Sequence, residues 1–353
     1  MAYRTRWTRL ICGVAVAATA ALVAAGCTSG SASTAAQGTG SAPAVTAAQA
    51  GQVLNTYFAA SDKAARTGDE ALVLSGVTGV AQAEVRNFFK AYRALHQSPP
   101  LPRFSYQTPT LYLPTPAGYP RWFAASVTRS LRPPLADTIV ATPQPMVMVF
   151  TQAGATAPWL LASAYHVAGS MPKLAVNSAG QIPVVATSQT AGLLSRPDVV
   201  GPLLAAVVDE GASSPAARAV STDPYTMSLY QVGRAGNGFI TPRGDVRQWE
   251  LDGSTYPQFA LRTADGGALV FFTMYLNTTI AVPAELNQSR PINPGPPIAI
   301  PGDMRWMLPA GTVPRVKLER QDLYNFAAID PPAGGGKIKV IAAGSFLNYA
   351  WAS

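Results

Sequence analysis

Two histidines, His96 and His166, and two cysteines, Cys12 and Cys27, are the residues the chain offers for nucleophilic, acid–base or soft-metal chemistry. His96 falls at the end of a helical pattern, where an imidazolium suits the negative end of the helix dipole, so a capping role is expected. His166 falls in an alternating, strand-like segment, where a pocket-lining or solvent-facing place is expected. The sequence has no Gly-x-Ser-x-Gly elbow, and Gly344-Ser345-Phe346 lacks its frame. Ser170-Met171-Pro172-Lys173 has Ser-x-x-Lys spacing, but that chemistry needs a helix to bring lysine one turn from serine, and Pro172 obstructs it. His-x-x-x-His, cysteine pairs and calcium-loop spacings of acids are missing, so neither metal nor cofactor is expected. Gly334-Gly335-Gly336-Lys337 reads as a hairpin turn and not as a phosphate loop. Asp62, Asp69, Glu70, Asp209 and Glu210 read as solvated charges at helix ends, and Arg243-Gly244-Asp245 as a chance tripeptide. No catalytic residue emerges, and the chain is expected not to be an enzyme.

Cys27 stands apart. Residues 1–9 carry Arg4, Arg6 and Arg9 and no acid, residues 10–25 are apolar and small, and Ala24-Ala25-Gly26 precedes the cysteine. A charged n-region, an apolar h-region and a small-residue cleavage site make an export signal. With cysteine next, the segment resembles a bacterial lipobox: the thiolate takes a diacylglyceryl group, and cleavage after Gly26 leaves Cys27 as the first residue. Cys12 would be discarded with the signal, so no intramolecular disulfide is available to the mature chain. Two acyl chains hold a protein stably where one is marginal. The expected location is the outer face of a bacterial plasma membrane. Residues 27–45, rich in Ser, Gly, Ala and Thr and free of charge, read as a flexible tether reaching roughly 25 Å.

Length and composition bound the remainder. At 353 residues, two domains or one duplicated domain are expected. Charged residues make up 12%, against about 25% in an average soluble protein. No apolar run long enough to span a bilayer follows the N-terminus. The formal charge is +8, but three of the arginines lie in the signal and the others come singly, so no nucleic-acid footprint is expected.

Helical periodicity begins near residue 47, with Val53, Leu54, Tyr57 and Phe58 on one stripe and Gly68 as a stop. A second helix is expected over 81–95, with Val85, Phe88, Phe89, Tyr92 and Leu95 on a common face. Strand-like segments follow at 104–113, 119–129, 145–151 and 159–167. The order then recurs. Val199, Val200, Leu203, Leu204, Val207 and Val208 form a helical stripe with Ser195 and Asp198 spaced as a capping box, before strands at 247–251, 256–263, 268–276, 313–328, 337–343 and 346–351. Tyr119-Pro120-Arg121-Trp122-Phe123-Ala124 and Tyr256-Pro257-Gln258-Phe259-Ala260-Leu261 echo one another, a sign of duplication that chance similarity rivals. The proline-rich run 291–301 reads as a surface loop. The expected fold class is α+β: two similar halves, 46–168 and 196–353, each a helix pair on a curved antiparallel sheet, joined by a connector at 169–195.

Several blocks carry a resemblance: Tyr119 to Arg129; Met146-Val147-Met148-Val149-Phe150 leading to Pro158-Trp159; Met171 to Val176 with Ser178-Ala179-Gly180; Gly266 to Val270; and Ile329-Asp330-Pro331-Pro332 with Gly336 to Val340. In these the chain is similar to actinobacterial lipoproteins of the Streptomyces type that carry a domain of unknown function. The resemblance spans most of 45–353 and implies a fold and surface attachment, with no catalytic residues. Each half also looks similar to the nuclear-transport-factor-2-like, cystatin-like cone, in which a bent sheet wraps a helix and leaves a pocket, an analogy of fold alone.

The aromatic residues of the strands serve core packing, and some are expected to line such a pocket: Trp122, Trp159, Tyr165, Trp249, Phe271 and Tyr275, together with His166. The expected function is a non-catalytic, lipid-anchored binding or interaction module of the cell envelope, engaging an unknown envelope protein or small ligand. The alternative is a small-molecule or lipid-handling protein with an apolar pocket.

Overall fold

A computed structural model describes residues 45–115, 118–133, 142–190, 192–236, 245–283 and 297–353. The signal, Gly26, Cys27, nearly all of the tether, Arg243-Gly244 and most of the proline-rich run lie outside the described residues. All described residues belong to one compact unit spanning Ser41–Ser353. The packed body begins at Val45, whose side chain is buried.

The helix α1 (Ala47–Thr67) starts where Thr46 and Gln49 satisfy each other's backbone N–H groups in a capping box. It stops at Gly68, whose φ of 73° is left-handed and whose N–H reaches the carbonyl of Ala64. A short helix α2 (Glu70–Leu74), which the sequence pattern does not reveal, leads to α3 (Gly79–Ala94). Strands β1 (Arg103–Tyr112), β2 (Arg121–Arg132), β3 (Gln144–Gln152) and β4 (Leu160–His166) then form an antiparallel meander in chain order.

In the second half α4 (Pro197–Glu210) and α5 (Pro224–Gly236) precede β5 (Val246–Gly253), β6 (Phe259–Arg262), β7 (Ala268–Ala281), β8 (Lys317–Asp330) and β9 (Lys339–Ala352). The sheet order is β5-β7-β8-β9, with β6 also paired to β7. The two final strands expected from sequence are one strand, β9, interrupted by register shifts. The expected capping box at Ser195 and Asp198 does not form. Pro197 occupies the first helical position and makes Arg196 the N-cap, while Asp198 accepts from the Arg196 guanidinium at 3.0 Å.

The alternation of each strand explains the layering. Phe123, Ala125 and Val127 of β2, with Met146, Met148 and Phe150 of β3, join a cluster that includes Ala50 and Leu54 of α1 and Ala81 of α3. Their neighbours Trp122, Ala124, Val147 and Val149 pack instead with Phe259, Leu261, Leu269 and Phe271 of the second sheet. On the far side Val270, Phe272 and Met274 of β7 pack with Val200, Leu204 and Val207 of α4. Helices, sheet, sheet and helices thus stack in four layers, and strands covered on both faces read as continuous apolar runs such as Met146–Phe150. The connector is extended and stitched into this body, with Ile182 bonded to Leu113 and Thr115, and Val185 to Ala260.

Candidate functional site

A cavity of about 220 Å³ lies between α1, α3 and the helix-facing side of the first sheet, and residues 344–346 of β9 close one flank. Its body is apolar, formed by Val85, Phe88, Phe89, Leu101, Met146 and Met148. Phe88 is half exposed although it belongs to the apolar stripe of α3, because that stripe faces the cavity mouth.

The polar end is assembled by strand register. Arg129 of β2 stands opposite Tyr106 of β1 and Gln144 of β3, at the odd-numbered positions that turn Phe123, Ala125 and Val127 toward the helices. Its guanidinium lies 4.5 Å over the Phe104 ring, and its Nη2 is 3.1 Å from Nε2 of His166. A guanidinium only donates, so Nε2 must accept and the imidazole is neutral with its proton on Nδ1. Burial, and then the Arg129 charge, hold the His166 pKa below its ordinary value.

Glu84 enters from the helix wall. It sits on α3 three residues after Ala81 and four before Phe88, within the stripe that faces the sheet. Glu84 is exposed, yet desolvation by the cavity walls raises its carboxyl pKa, and the charge of Arg129 opposes that shift. Among the described residues it makes no hydrogen bond and no ion pair, and its side chain is open to the cavity. Tyr106 hydrogen-bonds Ser61, and burial pushes its phenol up to about 12. The arrangement offers an acid, a cation and a neutral imidazole at one end of an apolar chamber.

A family model described as a domain of unknown function (DUF8094) matches residues 41–346. The chain belongs to that family. A protein described as an "Uncharacterized lipoprotein" from Streptomyces avermitilis is 27% identical over 303 residues, which is 83% of this chain and 81% of that protein. No solved structure matches.

A second cavity, of about 330 Å³, lies on the helix-facing side of the second sheet and is lined in part by Trp249, Leu276, Met304, Arg320, Asp322 and Tyr324. One of its two arginines, Arg320, is compensated: it donates to both oxygens of Asp322, at 2.6 and 2.8 Å, and pairs with Asp303. Among the described residues no group of three or more His, Cys, Asp or Glu side chains is placed to hold a metal.

Of the residues expected to line a pocket, the structure places His166 in the first cavity and Trp249 in the second. Trp122, Tyr165 and Phe271 line neither cavity. Each is buried between the two sheets, with Trp122 4.9 Å from the Phe259 ring and Tyr165 5.3 Å from Phe271, because the second sheet covers the face that a lone cone would leave open. Trp159 packs on Phe123 at 5.2 Å, and Tyr275 lies 6.4 Å from Tyr256. His96, expected as a helix cap, follows the C-cap Leu95 with a left-handed φ of 52°. Ser170 to Lys173 is not helical, so its serine and lysine are not brought one turn apart. Glu84 and Arg129 were not among the expected site residues.

Proposed function

We propose that this DUF8094 protein is acylated on Cys27, is held at the outer face of an actinobacterial plasma membrane, and binds a small amphipathic molecule in the first cavity without transforming it. The observation that carries the binding role is the pairing of an apolar chamber with two charged groups at one end, Glu84 and Arg129, that form no ion pair with each other. Ligand sites are typically apolar concavities with a few convergent polar groups. The anchor is supported by the residues 1–27 pattern and by the lipoprotein description of the Streptomyces relative. Duplication of a cystatin-like unit is supported by the shared order of helices then meander, and by the contact between Trp122 and Phe259, which hold equivalent places in the two echoes.

Native mass spectrometry of protein drawn gently from its own membrane tests the reading. A discrete small mass beyond the acyl anchor is expected, and a bare protein would sink it. Cys27→Ala should move the protein from the membrane fraction to the soluble one; unchanged sedimentation would end the anchor argument. A second reading, docking of an envelope protein, is favoured by Tyr349 and Trp351, both exposed on β9 at the end of its sheet. A co-purifying protein in the same experiment would favour it.

A further inference from the structure

We infer that the first cavity selects a small organic monoanion, its carboxylate held by Arg129 and its apolar body lying among Phe88, Phe89, Leu101 and Met148, and that the anion is taken up together with a proton on Glu84. The inference deepens the binding role proposed above and rests on it.

Two other arginines set the contrast. Arg103, 3% exposed, is paired with Asp62, and Arg320 with Asp322 and Asp303. Arg129 is half-buried, yet its partners are the neutral His166, the amide of Gln144 at 3.5 Å and the face of Phe104. No carboxylate reaches it among the described residues. Glu84 lines the same cavity and acts on Arg129 through its charge alone, so guanidinium donors remain in a fork suited to a carboxylate. His166 fixes that fork from one side, and as the acceptor of a hydrogen bond it adds no charge.

Glu84 sets the pH response. The titratable and charged groups facing it are Tyr57 from α1, Tyr106 from β1, and Arg129 and His166 from β2 and β4. Ionised, Glu84 repels an incoming anion; protonated, it donates a hydrogen bond to it. Binding therefore favours the protonated acid, takes up a proton, and weakens as pH rises through the Glu84 pKa, which desolvation by the cavity walls already raises. The volume, roughly seven waters' share of the liquid, limits the ligand to a short chain.

The test is calorimetric titration of the full chain carrying Cys27→Ala with octanoate, octanamide and octylamine, between about pH 6 and about pH 8, in buffers of different ionisation enthalpy. Octanoate should bind at least about tenfold more tightly than octanamide, with proton uptake. Arg129→Met should remove that preference and leave octanamide unchanged. Glu84→Gln should keep octanoate binding and abolish both the proton uptake and the pH slope. Equal affinity for octanoate and octanamide, or tighter binding of octylamine, overturns the inference while leaving a ligand cavity. Failure of all three to bind overturns the cavity reading beneath it. The head-group series needs no substitution in the cavity, so a misfolded variant leaves the test standing.

Discussion

Nη2 of Arg129 lies 3.1 Å from Nε2 of His166, and because the guanidinium has no lone pair, the contact exists only while that nitrogen is unprotonated. Burial and then the Arg129 charge lower the His166 pKa. In an NMR titration His166 should therefore turn over below the ordinary value of about 6.5. Arg129→Met should raise its midpoint part of the way back, since burial, the larger cause, persists. A midpoint at or above the ordinary value would show that the contact is not formed.

Asp330, at the end of β8, is fully buried, and neither carboxylate oxygen has a well-placed hydrogen-bond partner. Burial pushes its pKa up to about 7, against a weak opposing pull from the Ser195 backbone. An unfolded aspartate titrates near 4, so between about pH 4 and about pH 7 the folded chain binds more protons than the unfolded one. The stabilisation is full below about pH 4 and is lost as pH rises through about 7. Asp330→Asn should be more stable than the parent at about pH 8, on the order of 1–4 kcal/mol, and equal to it near pH 4. Urea midpoints at the two pH values decide the matter; an asparagine variant that is weaker at pH 8 counts against a buried, unpaired carboxylate.

Asp223 is buried and accepts from the backbone N–H of Thr226 at 2.9 Å and of Val340 at 3.0 Å, capping α5 and tying it to β9. Asp223→Ala leaves two buried donors unsatisfied and should cost about 2–4 kcal/mol. Hydrogen exchange should locate the damage, with the Val340 amide losing protection far more than amides of β2. Uniform loss across both sheets would mean that Asp223 acts on global stability alone.

The legible parts of this fold are those in which period and punctuation agree. The α1 stripe ends at Gly68 as the pattern requires, and the four strands of the first meander fall where apolar runs alternate with Pro and Gly turns. The helix α5 escaped sequence reading although Asp223-Pro224 is an N-cap followed by a proline at the first helical position. The site escaped for a related reason. Attention to aromatic residues led to Trp122, Tyr165 and Phe271, which the second sheet covers, and no pattern within one strand reveals which of its two faces another sheet will take. The usable signal was charge in an apolar register: Glu84 on the inward stripe of α3, and Arg129 two residues beyond Val127 on the helix-facing side of β2.

The layer between the sheets also bears on whether the halves are separable, as the sequence leads one to expect. Phe271, fully buried, packs on Tyr165 from the other sheet, and Asn87 of α3 donates to the carbonyls of Leu347 and Asn348 in β9. Removing residues 196–353 would expose Trp122, Ala124, Val147 and Tyr165 together and would strip the β9 flank from the first cavity. The full chain should therefore melt in one transition. Phe271→Ala should lower that single transition by about 3–5 kcal/mol, with tryptophan fluorescence and far-ultraviolet circular dichroism moving together. Two resolved transitions, with only the later elements affected by Phe271→Ala, would instead make each half a domain and the contact between the sheets a docking interface between them.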